Sequence, residues 1–99
     1  MKNFRSFKIT KDLYRSCQKL PVKGHVRDQL LRASLSICLN LAEGSAKQTE
    51  KERRRFYYIA LGSQRELHCI LELFEFGDIS RLSDHLGACI YKLIQSLSC

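Results

Sequence analysis

The 99-residue chain predicts an all-α fold: an up-and-down four-helix bundle, with residues 1–99 forming a single domain. Three observations predict it. Apolar residues recur at three-and-four spacing in four separate stretches, the period of helices that bury one face. One Pro and five Gly are too few for the turns of a sandwich or barrel. The stretches are joined by short connections, so consecutive helices run antiparallel.

The first helix is expected over residues 9–20, where Ile9, Leu13, Cys17 and Leu20 share a face with Tyr14 beside them. Thr10 is a candidate N-cap, while Phe4 and Phe7 favour an earlier start. Pro21 and Gly24 end this helix. The second helix is expected over residues 25–43, with Gly44 placed as its C′ glycine.

On a helical wheel, Gln29, Arg32, Ser36, Asn40 and Glu43 fall within an arc of roughly 80°. The rest of that helix is apolar around roughly 200°: Val26, Leu30, Leu31, Leu35, Ile37, Cys38, Leu39, Leu41 and Ala42. A helix on one side of a bundle needs an apolar stripe only somewhat over 100° wide. The surplus predicts contact with another subunit, so a homo-oligomer is expected.

Thr49-Glu50-Lys51-Glu52 has the T-x-x-E pattern of a capping box and starts the third helix. That helix is expected to run to Phe76, with Gly77 as its stop. Phe56, Ile59, Ser63, Glu66, Ile70 and Leu73 form its seam, widened by Ala60, Leu67, Leu71 and Phe74. Ser80 is placed as the cap of a fourth helix. This one carries Leu82, Leu86, Cys89, Ile90, Leu93, Ile94 and Leu97 on one face.

No secretory h-region opens the chain, and no stretch approaches the roughly 18 apolar residues of a membrane span. A cytoplasmic protein with no membrane partner is expected. The five cysteines, Cys17, Cys38, Cys69, Cys89 and Cys99, form no CxxC and match no zinc spacing. They are expected to be small hydrophobic core residues, with Cys99 exposed at the tail. Neither a metal nor any other cofactor is expected.

The net charge of +7 is unevenly spread. Residues 1–65 hold 15 Lys/Arg against 5 Asp/Glu, whereas residues 66–99 hold 2 against 5. That asymmetry suits an anionic partner on the basic side, or head-to-tail contact between subunits.

Catalysis needs a nucleophile with a base, paired carboxylates, or spaced metal ligands. The polar stripe of the second helix offers only Glu43, and His25, His68 and His85 lie on three different helices. An enzyme is not expected. Asn40, Glu43, Ser63 and Glu66 are read as register-fixing residues, with Glu66 near Arg27 or Gln29 and Asn40 or Glu43 near the following turn.

The basic run Lys51, Arg53, Arg54 and Arg55, preceded by Lys47 and followed by Tyr58, is the better functional candidate. Lys and Arg neutralise phosphates, and a tyrosine stacks on an unpaired base. The competing reading is a solvated charged face, with Glu50 and Arg54 paired one turn apart. Lys8, Lys11, Arg15, Lys19 and Lys23 extend the basic character to the first helix. RNA or DNA is therefore the expected partner.

The stretch QLLRASLSICLNLAEGSAKQTEKERRRFYYIALGSQREL resembles the four-helix-bundle proteins encoded within intervening sequences of bacterial 23S rRNA genes. The similarity falls on Gln29, Leu30, Arg32, Ala33, Ser36, Ile37, Asn40, Ala42, Glu43 and Gly44. In the third helix it falls on Phe56, Ile59, Ala60, Gly62, Ser63, Glu66 and Leu67. Leu31 stands where the family pattern has an Arg. The resemblance implies a homopentameric, barrel-like assembly. It also implies a fold similar to the accessory variability proteins of diversity-generating retroelements, basic pentamers that bind nucleic acid and a reverse transcriptase. By that analogy the chain would be a non-catalytic assembly factor, or an adaptor for a reverse transcriptase.

Overall fold

The computed structural model describes residues 4–97. It contains four helices: α1 (Phe4–Gln18), α2 (Gly24–Ala46), α3 (Glu50–Leu73) and α4 (Gly77–Gln95). Helix α2 packs on α1 and α3, and α4 packs on α3 and α1, so α1 lies diagonally across from α3. The bundle measures 41 × 21 × 19 Å. No strand occurs among the described residues, and none of their helices is long and apolar enough to cross a membrane.

The core is built from the periodic apolar residues. Leu13, Leu30, Ile37, Leu67, Leu71, Leu86 and Ile90 are completely buried, and each such side chain contributes about 1.5–3 kcal/mol. Cys17 is also fully buried, and that burial pushes its thiol pKa up to about 11. It therefore behaves as a small apolar group. Cys38 and Cys89 are half-buried, but Cys69 is exposed, so the expectation of core packing fails there. Cys99 lies outside the described residues.

Several boundaries differ from those expected, each for a local reason. Helix α1 begins at Phe4, so Thr10 is not an N-cap. Its buried hydroxyl donates to the carbonyls of Ser6 at 2.8 Å and Phe7 at 2.7 Å, a back-bond inside the helix. Gly44 is not a C′ residue either, since α2 continues to Ala46. A Cβ at Gly44 would lie 2.7 Å from the Tyr57 ring of α3, so glycine is required there by close helix approach.

Helix α3 begins as expected, with the Thr49 hydroxyl accepting the Glu52 N–H at 3.1 Å. It ends at Leu73 rather than Phe76. The Phe76 N–H donates to Leu71 O at 2.9 Å and the Glu75 N–H to Glu72 O at 3.1 Å, the Schellman pattern. Glu75 occupies the left-handed position at φ 59°, where glycine is the usual residue. Gly77 opens α4 instead of stopping α3. Ser80 is therefore inside α4, and its hydroxyl donates to the Glu72 carboxylate at 3.0 Å.

The buried face of α3 is rotated by about one residue from the expected seam. Tyr57, Ala60, Leu61, Gln64, Leu67 and Leu71 point inward. Ile59 and Glu66 are exposed, and Leu73 is 74% exposed. Gln64 was absent from the sequence analysis, yet its amide donates to Ser83 O at 2.9 Å and Ser83 Oγ at 3.2 Å in the α3–α4 interior. Gly87 makes room for it, because a Cβ there would lie 2.6 Å from the Gln64 amide oxygen.

Two substitutions test these roles by chemical or thermal denaturation. Gly44→Ala is expected to lose about 1–3 kcal/mol, since the tyrosine ring or the helix must shift to admit the methyl group. Glu75→Gly is expected to gain about 1 kcal/mol, the strain of a non-glycine residue in the left-handed region. A stable Gly44→Ala variant would mean that α2 and α3 have slack at this crossing.

Candidate nucleic-acid interface

The candidate interface lies at the start of α3, where the cap at Thr49 leads directly into the arginines. Glu50 and Glu52 occupy the first turn, beside the positive end of the helix dipole. Successive residues of a helix point about 100° apart, so Arg53, Arg54 and Arg55 cannot share a direction. Arg53 turns toward the end of α2, where its Nε donates to Lys47 O at 2.8 Å and a terminal nitrogen to Gln48 O at 3.5 Å. Arg54 turns toward the end of α4 and donates to Leu97 O at 3.0 Å. Arg55 points outward, with its guanidinium 5.5 Å from the centre of the Phe56 ring.

Lys47 reaches the same ring, its ammonium 5.1 Å from the centroid, and also pairs with Glu43 at 3.1 Å. Lys51 is exposed, as is Tyr58, which shares the outward side of α3 with Lys51 and Arg55. The six residues expected to act together therefore divide. Arg53 and Arg54 spend donors on carbonyls at helix ends, Lys47 is held by Glu43, and Lys51, Arg55 and Tyr58 face solvent. A guanidinium carries five N–H donors, so the half-exposed Arg53 and Arg54 retain some for another acceptor.

The polar stripe of α2 faces α3. Ser36 Oγ and Ser63 Oγ lie 2.8 Å apart, and the Asn40 amide donates to Ser36 O at 2.9 Å and Ser36 Oγ at 3.1 Å. The Ser36–Ser63 contact links the helices, and Asn40 braces Ser36 from within α2. Gln29, Arg32 and Glu66 line an open cleft of about 310 Å³ beside them. Arg27 does not join Glu66 there; it donates to Gln18 O at 3.2 Å, next to the α1–α2 turn. Glu43 pairs with Lys47 in the following turn.

Away from this face, His68 lies 3.8 Å from Glu72, and its Nδ1 is buried with no hydrogen-bond partner among the described residues. His85 Nε2 and Cys89 Sγ are 3.9 Å apart on α4. No group of three or more His, Cys, Asp or Glu placed to hold a metal occurs among the described residues. On α1, Lys8, Lys11 and Arg15 are exposed, as are Lys19 and Lys23 in the turn that follows. Because α1 and α3 are diagonal, these cations form a second basic surface rather than an extension of the first.

The division of the arginines predicts separable effects. Arg54→Ala is expected to lower stability by about 1 kcal/mol, because the Leu97 carbonyl loses a charged donor at a partly exposed site. Arg55→Ala is expected to leave the urea midpoint unchanged. Equal midpoints for the two variants would show that the bond to Leu97 contributes nothing.

Two comparisons bear on what this bundle is. No curated protein matches the chain. The model of the 23S rRNA-intervening sequence protein family matches residues 4–98, which covers all four helices. A chain matched over nearly its whole length, with the bundle and the α2–α3 motif residues in place, belongs to the 23S rRNA-intervening sequence protein family.

Proposed function

We propose that this chain is a non-catalytic protein that binds RNA or DNA through its basic surface and works as a homo-oligomer, a pentamer by family resemblance. The observation that carries the binding proposal is the outward group of Lys51, Arg55 and the half-exposed Tyr58 on a chain of net charge +7. Two cations beside an exposed ring suit a phosphate next to an unpaired base. The oligomer proposal rests on exposed apolar side chains that a lone bundle leaves in water, chiefly Leu39 at 58% and Leu73 at 74% exposure.

The absence of catalysis is argued from geometry. A nucleophile needs a base, and the base needs a third group to orient it. The Cys89–His85 contact spans one turn of one helix, and no carboxylate orients the imidazole among the described residues. The same exposed leucines also favour an alternative, in which the bundle is an adaptor for a protein partner such as a reverse transcriptase.

A salt series with labelled single-stranded RNA and duplex DNA, with mass recorded alongside, tests the proposal. Wild-type protein is expected to sediment as an oligomer, with log affinity falling linearly in log salt. Lys51→Glu combined with Arg55→Glu is expected to weaken binding and flatten the slope by about 0.7 per lost contact on a single strand. Wild-type binding by the double variant would remove this site. Capture of a protein partner that survives nuclease and high salt would favour the adaptor.

A further inference from the structure

A row of exposed cations runs along α1 and into the turn that follows it. Lys8, Lys11 and Arg15 follow one another on α1 at intervals of three and four residues, so each turn presents one cation, and Lys19 continues the series in the turn just after the helix. At about 1.5 Å rise per residue the helical part of the row, Lys8 to Arg15, extends about 11 Å. All four are exposed, and none forms an ion pair among the described residues. Asp12 is the one acidic residue of α1. By contrast, two of the arginines at the start of α3 donate to backbone carbonyls of the bundle itself.

Midway along the row, a slot opens between α1 and α2. Lys11, Tyr14 and Arg15 line it from α1, and Leu35 and Cys38 from α2, around about 190 Å³. Its lining joins the apolar Leu35 and Cys38 to a tyrosine, two cations and Thr10. Leu35 is 43% exposed at its mouth. Burial holds the Cys38 thiol above its ordinary pKa, with the Lys11 charge pulling the other way. This wall is therefore an uncharged one beside a cation.

We infer that the outward side of α1 is a track for a single-stranded polynucleotide, whose phosphates follow Lys8, Lys11, Arg15 and Lys19 while one base enters the slot beside Tyr14. The inference rests on the nucleic-acid reading above and assigns it a different surface from Lys51 and Arg55. Charge complementarity selects a polyanion, because a row of cations one helical turn apart meets a chain carrying one negative charge per nucleotide. The slot selects a single strand. A duplex keeps the faces of its bases stacked inside, whereas a single strand can turn one base onto an apolar wall while its neighbours stay on the cations.

The test compares a fluorescent dodecathymidylate, an abasic strand of equal length and phosphatidylserine vesicles as probes. The proteins are wild type, Lys11→Glu/Arg15→Glu and Lys51→Glu/Arg55→Glu, with circular dichroism and mass checked for each. Lys11→Gln/Arg15→Gln is the milder pair if charge reversal disturbs folding. The α1 double variant is expected to bind the thymidylate at least about tenfold more weakly at 0.1 M salt, with a slope shallower by about 1.4. Wild type is expected to prefer thymidylate over the abasic strand, and that preference should disappear in the α1 variant. A strand carrying a photoreactive thymidine analogue should crosslink to Tyr14 or Cys38.

Loss of binding only in the Lys51/Arg55 variant would overturn the α1 track while leaving nucleic-acid binding intact. Wild type that binds none of the strands would defeat both. Vesicle binding that depends on Lys11 and Arg15, without strand binding, would reassign the row to a lipid surface. Equal affinity for thymidylate and the abasic strand would overturn the base slot.

Discussion

The approach of α2 to α3 at Gly44 is the constraint on which the rest of the bundle depends. Without a Cβ on Gly44, the Tyr57 ring lies against the α2 backbone, and its hydroxyl sits 3.2 Å from Ser45 Oγ. Two turns further along α3, Gln64 meets the backbone of α4 in the same manner, over Gly87. One helix thus presents a large polar side chain to a glycine on each neighbour. In both places, a tight crossing is combined with a satisfied buried polar group, and leaving such a group unsatisfied costs about 1–3 kcal/mol. Between the two crossings, Ser36 and Ser63 add a third link on the α2 side. Once α3 is held at this height between its neighbours, its first turn reaches the ends of α2 and α4 together.

That placement explains the arginines. The last carbonyls of a helix have no partner within it. Arg53 donates to Lys47 O at the end of α2, and Arg54 to Leu97 O just past α4. Part of the charge gathered at this end thus closes the helix ends that converge there. A guanidinium suits both tasks because its five N–H donors diverge in a fixed fork. Lys51 and Arg55, pointing away from either helix end, are left to solvent.

The four helices were legible in the sequence because their apolar period is strong and their connections are short. The role of Gly44 was not. A glycine at the end of an apolar run looks the same whether it permits a left-handed turn or a close crossing, and only the ring of Tyr57 separates the two. Glu75 hid the true end of α3 for a related reason, since the left-handed position carries no glycine to mark it. The face of α3 was placed about one residue off because Ile59 and Leu73 are apolar yet exposed, while the inward Gln64 is polar. The wheel did hold a signal: Gln64 lies four residues after Ala60 and three before Leu67, both buried. Of the two residues expected to meet the following turn, Glu43 pairs with Lys47 there, whereas Asn40 donates back to Ser36 within α2. Charge was legible too, but not its division between helix ends and solvent, because that depends on where the carbonyls of other helices lie.

The exposed apolar residues follow from the same packing. Rotating α3 so that Tyr57 and Gln64 point inward turns Ile59 and Leu73 outward, and turning Leu30, Ile37 and Leu41 of α2 into the core leaves Leu35 and Leu39 outside. Neither set can be buried by repacking the monomer, because each is on the far side of its helix from residues already fully enclosed. The bundle therefore carries an apolar surface that its own fold creates and cannot cover. A chain with such a surface and a high net positive charge faces opposing demands: apolar contact draws copies together, while like charges drive them apart. A polyanion bound along the basic surfaces would remove the second effect and leave the first. On these terms, the proposed nucleic-acid binding and the proposed self-association would reinforce each other.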